Sequence, residues 1–114
     1  MKLEDPVRRK LNLTYTTGVV LQSIAAGYCY GFDIMDASGL PDGTVYPALR
    51  RLEEAGLLSS EWEDEQKASS EGRPPRCYYR LLPDGERMLT EALARFPGLS
   101  LVFSPLAEAE PERA

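Results

Sequence analysis

The chain contains no histidine, and its cysteines are two, Cys29 and Cys77. Without an imidazole, neither a Ser-His-Asp nor a Cys-His catalytic arrangement can be built. Two thiols outside any CxxC spacing do not make a structural zinc site, so we expect no metal and reduced, packed cysteines. GxGxxG and the glycine loop that ends in Lys-Ser/Thr are both missing, so no nucleotide cofactor is expected. Carboxylates are plentiful, but on helices and tails they usually form a solvated face, so the chain does not read as an enzyme. No apolar run approaches the roughly 18 residues of a membrane helix. The start, Met1-Lys2-Leu3-Glu4-Asp5-Pro6, lacks the apolar stretch of a signal peptide, which makes the cytoplasm the expected compartment.

What is present suits one modest globular domain: 114 residues, 43% hydrophobic and 27% charged. The net charge of −5 is unevenly distributed. Residues 1–51 carry six cations and five anions, a balance of +1, and residues 52–114 carry seven cations and thirteen anions, a balance of −6. Acidity therefore sits behind the midpoint of the chain. A local basic surface remains available in front of it, which matters more for nucleic acid than the total does.

That surface centres on the run from Asp42 to Leu58. At 100° per residue, Val45, Ala48, Leu49 and Leu52 form an apolar stripe. Gly43, Pro47 and Arg50 point the other way, flanked by Thr44, Tyr46 and Arg51. A helix anchored behind and cationic in front fits a DNA major groove. Taken alone, the same pattern also fits an ordinary amphipathic core helix with solvated arginines.

The surrounding segments decide between those readings. Residues 1–12 read as a polar arm interrupted by Pro6. A helix follows from Thr14, its N-cap, to Ala26, closed by Gly27, with Thr17, Val20, Leu21, Ile24 and Ala25 as its stripe. A short helix from Phe32 to Ser38 ends on Gly39, and Asp42 or Thr44 caps the two-faced helix. A strand is expected over 57–64, with Leu58, Ser60 and Trp62 on one side. A polar loop follows over 65–75. The second strand is expected over 76–82, with Cys77, Tyr79 and Leu81 on one face. We expect Trp62 to pack on this hairpin. Pro83 then opens a helix to Arg95, with Met88, Leu89, Ala92, Leu93 and Phe96 as its stripe. Residues 97–114 read as a tail. Leu99, Leu101, Val102 and Phe103 offer a short docking segment, and the stretch from Leu106 is too polar to fold. The fold class expected is mainly α with a small β-hairpin (α+β), a winged helix-turn-helix of order α-α-α-β-β-α. Its DNA-binding domain covers residues 13–96.

At these residues the chain resembles the PadR-like transcriptional regulators. Tyr30-Gly31-Phe32-Asp33-Ile34 is similar to that family's aromatic-or-His-Gly-Tyr-Glu-Leu signature. The run from Gly43 to Glu53, Gly-Thr-Val-Tyr-Pro-Ala-Leu-Arg-Arg-Leu-Glu, resembles its Gly-Thr-Leu-Tyr-Pro-Ala-Leu-Arg-Arg-Leu-Glu. Gly56-Leu57-Leu58 and the wing from Gly72 to Leu81 also match, so the resemblance spans residues 13–95. It departs at Leu82, where the family usually has a capping Thr, and at Pro97-Gly98, which ends the last helix early.

The resemblance implies a DNA-binding repressor that acts as a homodimer through its first and last helices. It also implies a small aromatic effector for some members. Carried over by position, the DNA-binding residues are Thr44, Tyr46, Pro47, Arg50 and Arg51 on the recognition helix, and Arg73 and Arg76 on the wing. Lys67 joins them as a further wing-loop cation. Tyr15, Trp62, Phe96 and Phe103 are the aromatics available to line an effector site. A winged helix used for protein interaction without DNA is the alternative, favoured by the acidic total and disfavoured by the outward arginines.

Overall fold

Local capping chemistry sets where the helices begin and end. A computed structural model describes residues 13–101; the arm at 1–12 and residues 102–114 of the expected tail lie outside the described residues. Helix α1 (Tyr15–Ala25) starts where the Thr14 hydroxyl accepts the Thr17 N–H at 3.1 Å. It is buried on more than the expected stripe: Thr17 through Leu21, Ser23 and Ile24 are inside, while Ala25 is exposed. The reason is its position between two apolar clusters. Val20, Leu21 and Ile24 join the main core, and Val19 joins a second cluster with Ala92 and Leu99. Ser23, fully buried between them, donates its hydroxyl to the Val19 carbonyl at 2.7 Å, so no polar atom is stranded.

Helix α2 (Gly31–Ser38) ends on Gly39 as expected and puts Ile34 into the main core. Helix α3 (Asp42–Glu54) follows after three residues. Neither Asp42 nor Thr44 caps it, contrary to the expectation. Pro41 occupies the N-cap, and its carbonyl accepts the Thr44 and Val45 N–H groups at 2.9 and 3.0 Å. Proline's restricted φ turns the chain there without a side-chain acceptor. At the other end, Gly56 takes φ 82° and Leu57 N–H returns to the Leu52 carbonyl at 3.0 Å, the Schellman closure.

The hairpin is antiparallel, β1 (Leu58–Trp62) against β2 (Cys77–Leu81), in register Leu58↔Leu81, Ser60↔Tyr79 and Trp62↔Cys77. Both strands are a residue or more shorter at their ends than the pattern predicts. An isolated bridge between Tyr30 and Tyr78 ties the segment before α2 to the outer side of β2.

The wing carries one element that the sequence reading missed. A short helix, α4 (Glu65–Ser70), stands in the expected polar loop, capped by Asp64 accepting from Gln66 N–H at 3.1 Å. Its end repeats the glycine closure: Gly72 has φ 73°, and Arg73 N–H reaches the Ala68 carbonyl at 3.2 Å. Ala68, its one apolar residue, is fully buried. One apolar residue cannot display helical periodicity.

Helix α5 (Pro83–Arg95) begins with Pro83 in its first turn and no side-chain cap at Leu82. It packs so close to the residue before β1 that a Cβ on Gly85 would run into the Leu57 carbonyl. A 3₁₀ turn (Pro97–Leu101) then folds back, so the expected tail starts within the fold. Leu99 is fully buried and fills the notch over Gly18 of α1. The architecture is a winged helix-turn-helix, mostly helical with a two-stranded hairpin, its order extended only by α4 and the final turn.

Candidate nucleic-acid interface

Helix α3 is held by four side chains: Val45, Ala48, Leu49 and Leu52 are each at most 2% exposed. Burying one Val or Leu is worth about 1.5–3 kcal/mol. Rotating the helix by one residue would expose most of that stripe, so the anchor fixes what faces outward. Gly43, Tyr46, Arg50 and Arg51 are exposed, and Thr44 and Pro47 are half-buried. Among the described residues, neither Arg50 nor Arg51 enters an ion pair, so both cations are available to an outside anion.

The acidic end of the same helix points elsewhere. Glu53 accepts the Ser60 hydroxyl at 2.6 Å and so ties α3 to β1. Pro47 lies inside the helix and, lacking an N–H, gives no hydrogen bond to the Gly43 carbonyl on the exposed first turn.

Tyr46 does more than face outward. Its ring lies against the backbone of Gly31, where any Cβ would collide with it. A glycine at the start of α2 and a tyrosine on α3 thus lock the two helices of the helix-turn-helix together. Tyr46 as a residue is still 43% exposed.

The wing arginines differ from each other. Arg73 is committed internally: its guanidinium grips Glu63 at 2.6 and 2.8 Å and also bonds Glu71 at 2.8 and 3.1 Å. Hydrogen bonds from Arg73 hold the Glu63 carboxyl down to about 2, helped by the Arg76 backbone N–H at 3.2 Å. Arg73 therefore braces the two ends of the wing, and its charge is spent there. Arg76 lays its guanidinium over the Tyr30 ring, 4.4 Å from the centroid, and Tyr30 meets Tyr78 edge-on at 5.2 Å. Among the described residues Arg76 has no carboxylate in an ion pair. Lys67 is exposed on α4, but five carboxylates (Glu61, Glu63, Asp64, Glu65, Glu71) occupy residues 61–71 beside it. The wing tip is thus anionic once Arg73 is counted as neutralised.

Trp62 departs from the expectation that it packs on the hairpin: it is 69% exposed. It stands opposite Cys77 at the end of the sheet far from Leu58. Tyr79, two residues on along the same face, is pushed up to about 12, chiefly by burial and then by its hydrogen bond with Cys77, so its phenol stays neutral. Among the described residues no group of three or more His, Cys, Asp or Glu is placed to hold a metal ion, and no helix is long and apolar enough to cross a membrane.

Comparison with known proteins agrees with the winged-helix fold. The model of the transcriptional regulator PadR-like family matches residues 20–91. Solved PadR family regulators superpose on the chain. One from Clostridium difficile R20291 has a TM-score of 0.64 at 24% identity, covering 82% of this chain and 99% of its own. A PadR-like transcription factor from Bacteroides fragilis has a TM-score of 0.62 at 27% identity, covering 90% and 99%. One from Eggerthella lenta DSM 2243 is 30% identical, with a TM-score of 0.56 and coverage of 82% and 85%. A search of the curated proteins finds no match. With the family model covering more than half of the sequence, the chain belongs to the PadR-like family of transcriptional regulators.

Proposed function

We propose that this DNA-binding regulator is a cytoplasmic repressor that reads a pseudo-palindromic operator as a homodimer, with α3 in the major groove. The observation that carries the reading is the Arg50–Arg51 pair, without an ion pair among the described residues, on the outer face of a helix whose opposite face is fully buried. Arg50 is the base-reading residue, suited to a bidentate contact with guanine. Thr44, Tyr46, Pro47 and Arg51 line the same surface. Arg76 and Lys67 are the wing cations left to approach phosphates, and Arg73 acts as the brace that shapes the wing.

Dimerisation is assigned to α1 and α5. Leu89, Leu93 and Phe96 are only half-buried, and Tyr15, which meets Phe96 edge-on at 5.8 Å, is 48% exposed. Two copies would then present their α3 helices about one turn of DNA apart, roughly 34 Å.

Selection of bound sites from random duplexes tests the reading. The wild type should enrich a two-fold symmetric site, and Arg50→Ala should lose preference at one base pair per half-site. A contact of that type is worth about 1–3 kcal/mol, or roughly 5- to 150-fold in affinity. Enrichment of the same site by wild type and variant would remove Arg50 from the interface. The anionic wing favours a second reading, a protein-interaction module, and failure of the wild type to retard any duplex at moderate salt would select it.

A further inference from the structure

Strand β1 is paired on one side. Among the described residues the sheet has two strands, and β2 takes one edge of β1. The Leu57 carbonyl accepts the Leu82 N–H at 3.0 Å, and Glu63 N–H donates to the Arg76 carbonyl at 2.8 Å. With the register, these two bonds mark the odd-numbered residues from Leu57 to Glu63 as the ones that bond β2. Ser60 and Trp62 therefore turn their N–H and C=O groups the other way, and no backbone group of the described residues bonds them there. We propose that this edge receives a basic extended segment of a partner protein, added as an antiparallel third strand in which cations and apolar residues alternate.

The pleat dictates the alternation. Residues directly opposite each other on neighbouring strands share a face of the sheet. A residue opposite Glu61 lies on the side of that carboxylate, which is exposed and enters no ion pair among the described residues. Opposite charges in such a pair are stabilising. Residues opposite Ser60 and Trp62 lie on the side of the indole. Trp62 is 69% exposed, and Phe32, 65% exposed, lines the same concavity, so that side accepts aliphatic side chains.

Charge selects the occupant. Residues 61–73 carry five carboxylates against Lys67 and Arg73, a balance of −3. A segment rich in Lys or Arg is attracted, and a second copy of this edge, carrying the same negative charge, is repelled. Antiparallel addition continues the order of the existing pair and is slightly the stronger of the two pairings. The inference stands apart from the assignment of α3 to DNA, because it uses the edge of the wing and not the outer face of that helix.

The test uses the full chain without DNA and the peptide Val-Arg-Val-Arg-Val-Arg, blocked at both ends. Trp62 is the only tryptophan, so its emission reports on the edge, and calorimetry measures binding independently. The peptide should bind saturably in both measurements, and the counterpart with Glu in place of Arg should not bind. Glu61→Gln should weaken binding about three- to fivefold, the size of one cross-strand charge pair, with the melting temperature unchanged. Glu91→Gln, exposed on α5, removes the same charge and should leave the affinity as it was. In the antiparallel arrangement the valines, opposite Ser60 and Trp62, exchange hydrogen bonds with β1, and the arginine N–H groups point away. N-methylation of the valines should therefore abolish binding, and N-methylation of the arginines should be tolerated. Heat of binding without a change in Trp62 emission, or equal losses in Glu61→Gln and Glu91→Gln, would overturn the site. Equal effects of the two methylated peptides would overturn strand addition. A dimer that dissociates when the peptide binds would give the edge to a second copy and overturn the choice of partner.

Discussion

Single residues here carry roles that their type alone does not announce. Arg73 is the clearest case. As a cation in a wing loop it reads as a phosphate contact, yet its guanidinium is occupied by Glu63 and Glu71. We therefore expect Arg73→Ala to leave the salt dependence of DNA binding unchanged and to loosen the wing, seen as faster hydrogen exchange of the Gly72 and Arg73 amides. The pH dependence has a definite sign. The Glu63 carboxyl falls from the ordinary 4.5 to about 2 in the folded state. Its contribution is complete above about 4.5 and is lost as pH falls toward 2. Wing protection should accordingly be flat from pH 8 to 5 and decline below that, and Glu63→Gln should abolish the decline. Gly31 makes a different point. Its missing side chain leaves room for the Tyr46 ring. Gly31→Ala should displace that ring, which is a flexible end, at a modest cost in stability. It should weaken operator binding more than its effect on the melting temperature explains.

At the scale of elements, the helices are defined by caps and stripes, and the connections by close approach. Gly85 and Gly43 illustrate why one residue type has opposite consequences. Both lie in helices, where alanine is favoured over glycine by up to about 1 kcal/mol. A Cβ at Gly43 meets nothing within 4 Å, so Gly43→Ala should raise the melting temperature slightly. A Cβ at Gly85 meets the Leu57 carbonyl, which is backbone and cannot swing aside. Overpacking costs about 1–3 kcal/mol, so the clash outweighs the propensity gain. Gly85→Ala should lower the melting temperature by roughly 5 °C or more. Equal shifts for both variants in thermal denaturation would mean that α5 does not pack against the Leu57 backbone this closely. The element hardest to read was α4. Its caps, Asp64 and Gly72, were present in the sequence, but Glu-Gln-Lys-Ala-Ser-Ser has no stripe to suggest a helix between them.

At the scale of the molecule, the fold closes around α1, which joins both apolar clusters, and the 3₁₀ turn seals it through Leu99 over Gly18. That turn lies beside the α1 and α5 surface to which we assign the dimer. Sedimentation at micromolar concentration should accordingly give a dimer, and Tyr15→Glu should give monomers with unchanged helical content. A dimer that persists in Tyr15→Glu would move the interface elsewhere. The sequence by itself determined the elements that rest on local rules. The stripe of Val45, Ala48, Leu49 and Leu52 oriented α3, alternation oriented Cys77, Tyr79 and Leu81, and Thr14, Gly27 and Gly39 set helix ends, because periodicity and capping act within a few residues along the chain. Only the tertiary structure decided which charges remain free and which rings remain exposed. Arg73 meets a carboxylate ten residues away, Arg76 finds the ring of Tyr30, and Trp62 is left uncovered. Those outcomes depend on which distant segments the fold brings together, and neither residue type nor spacing carries that information.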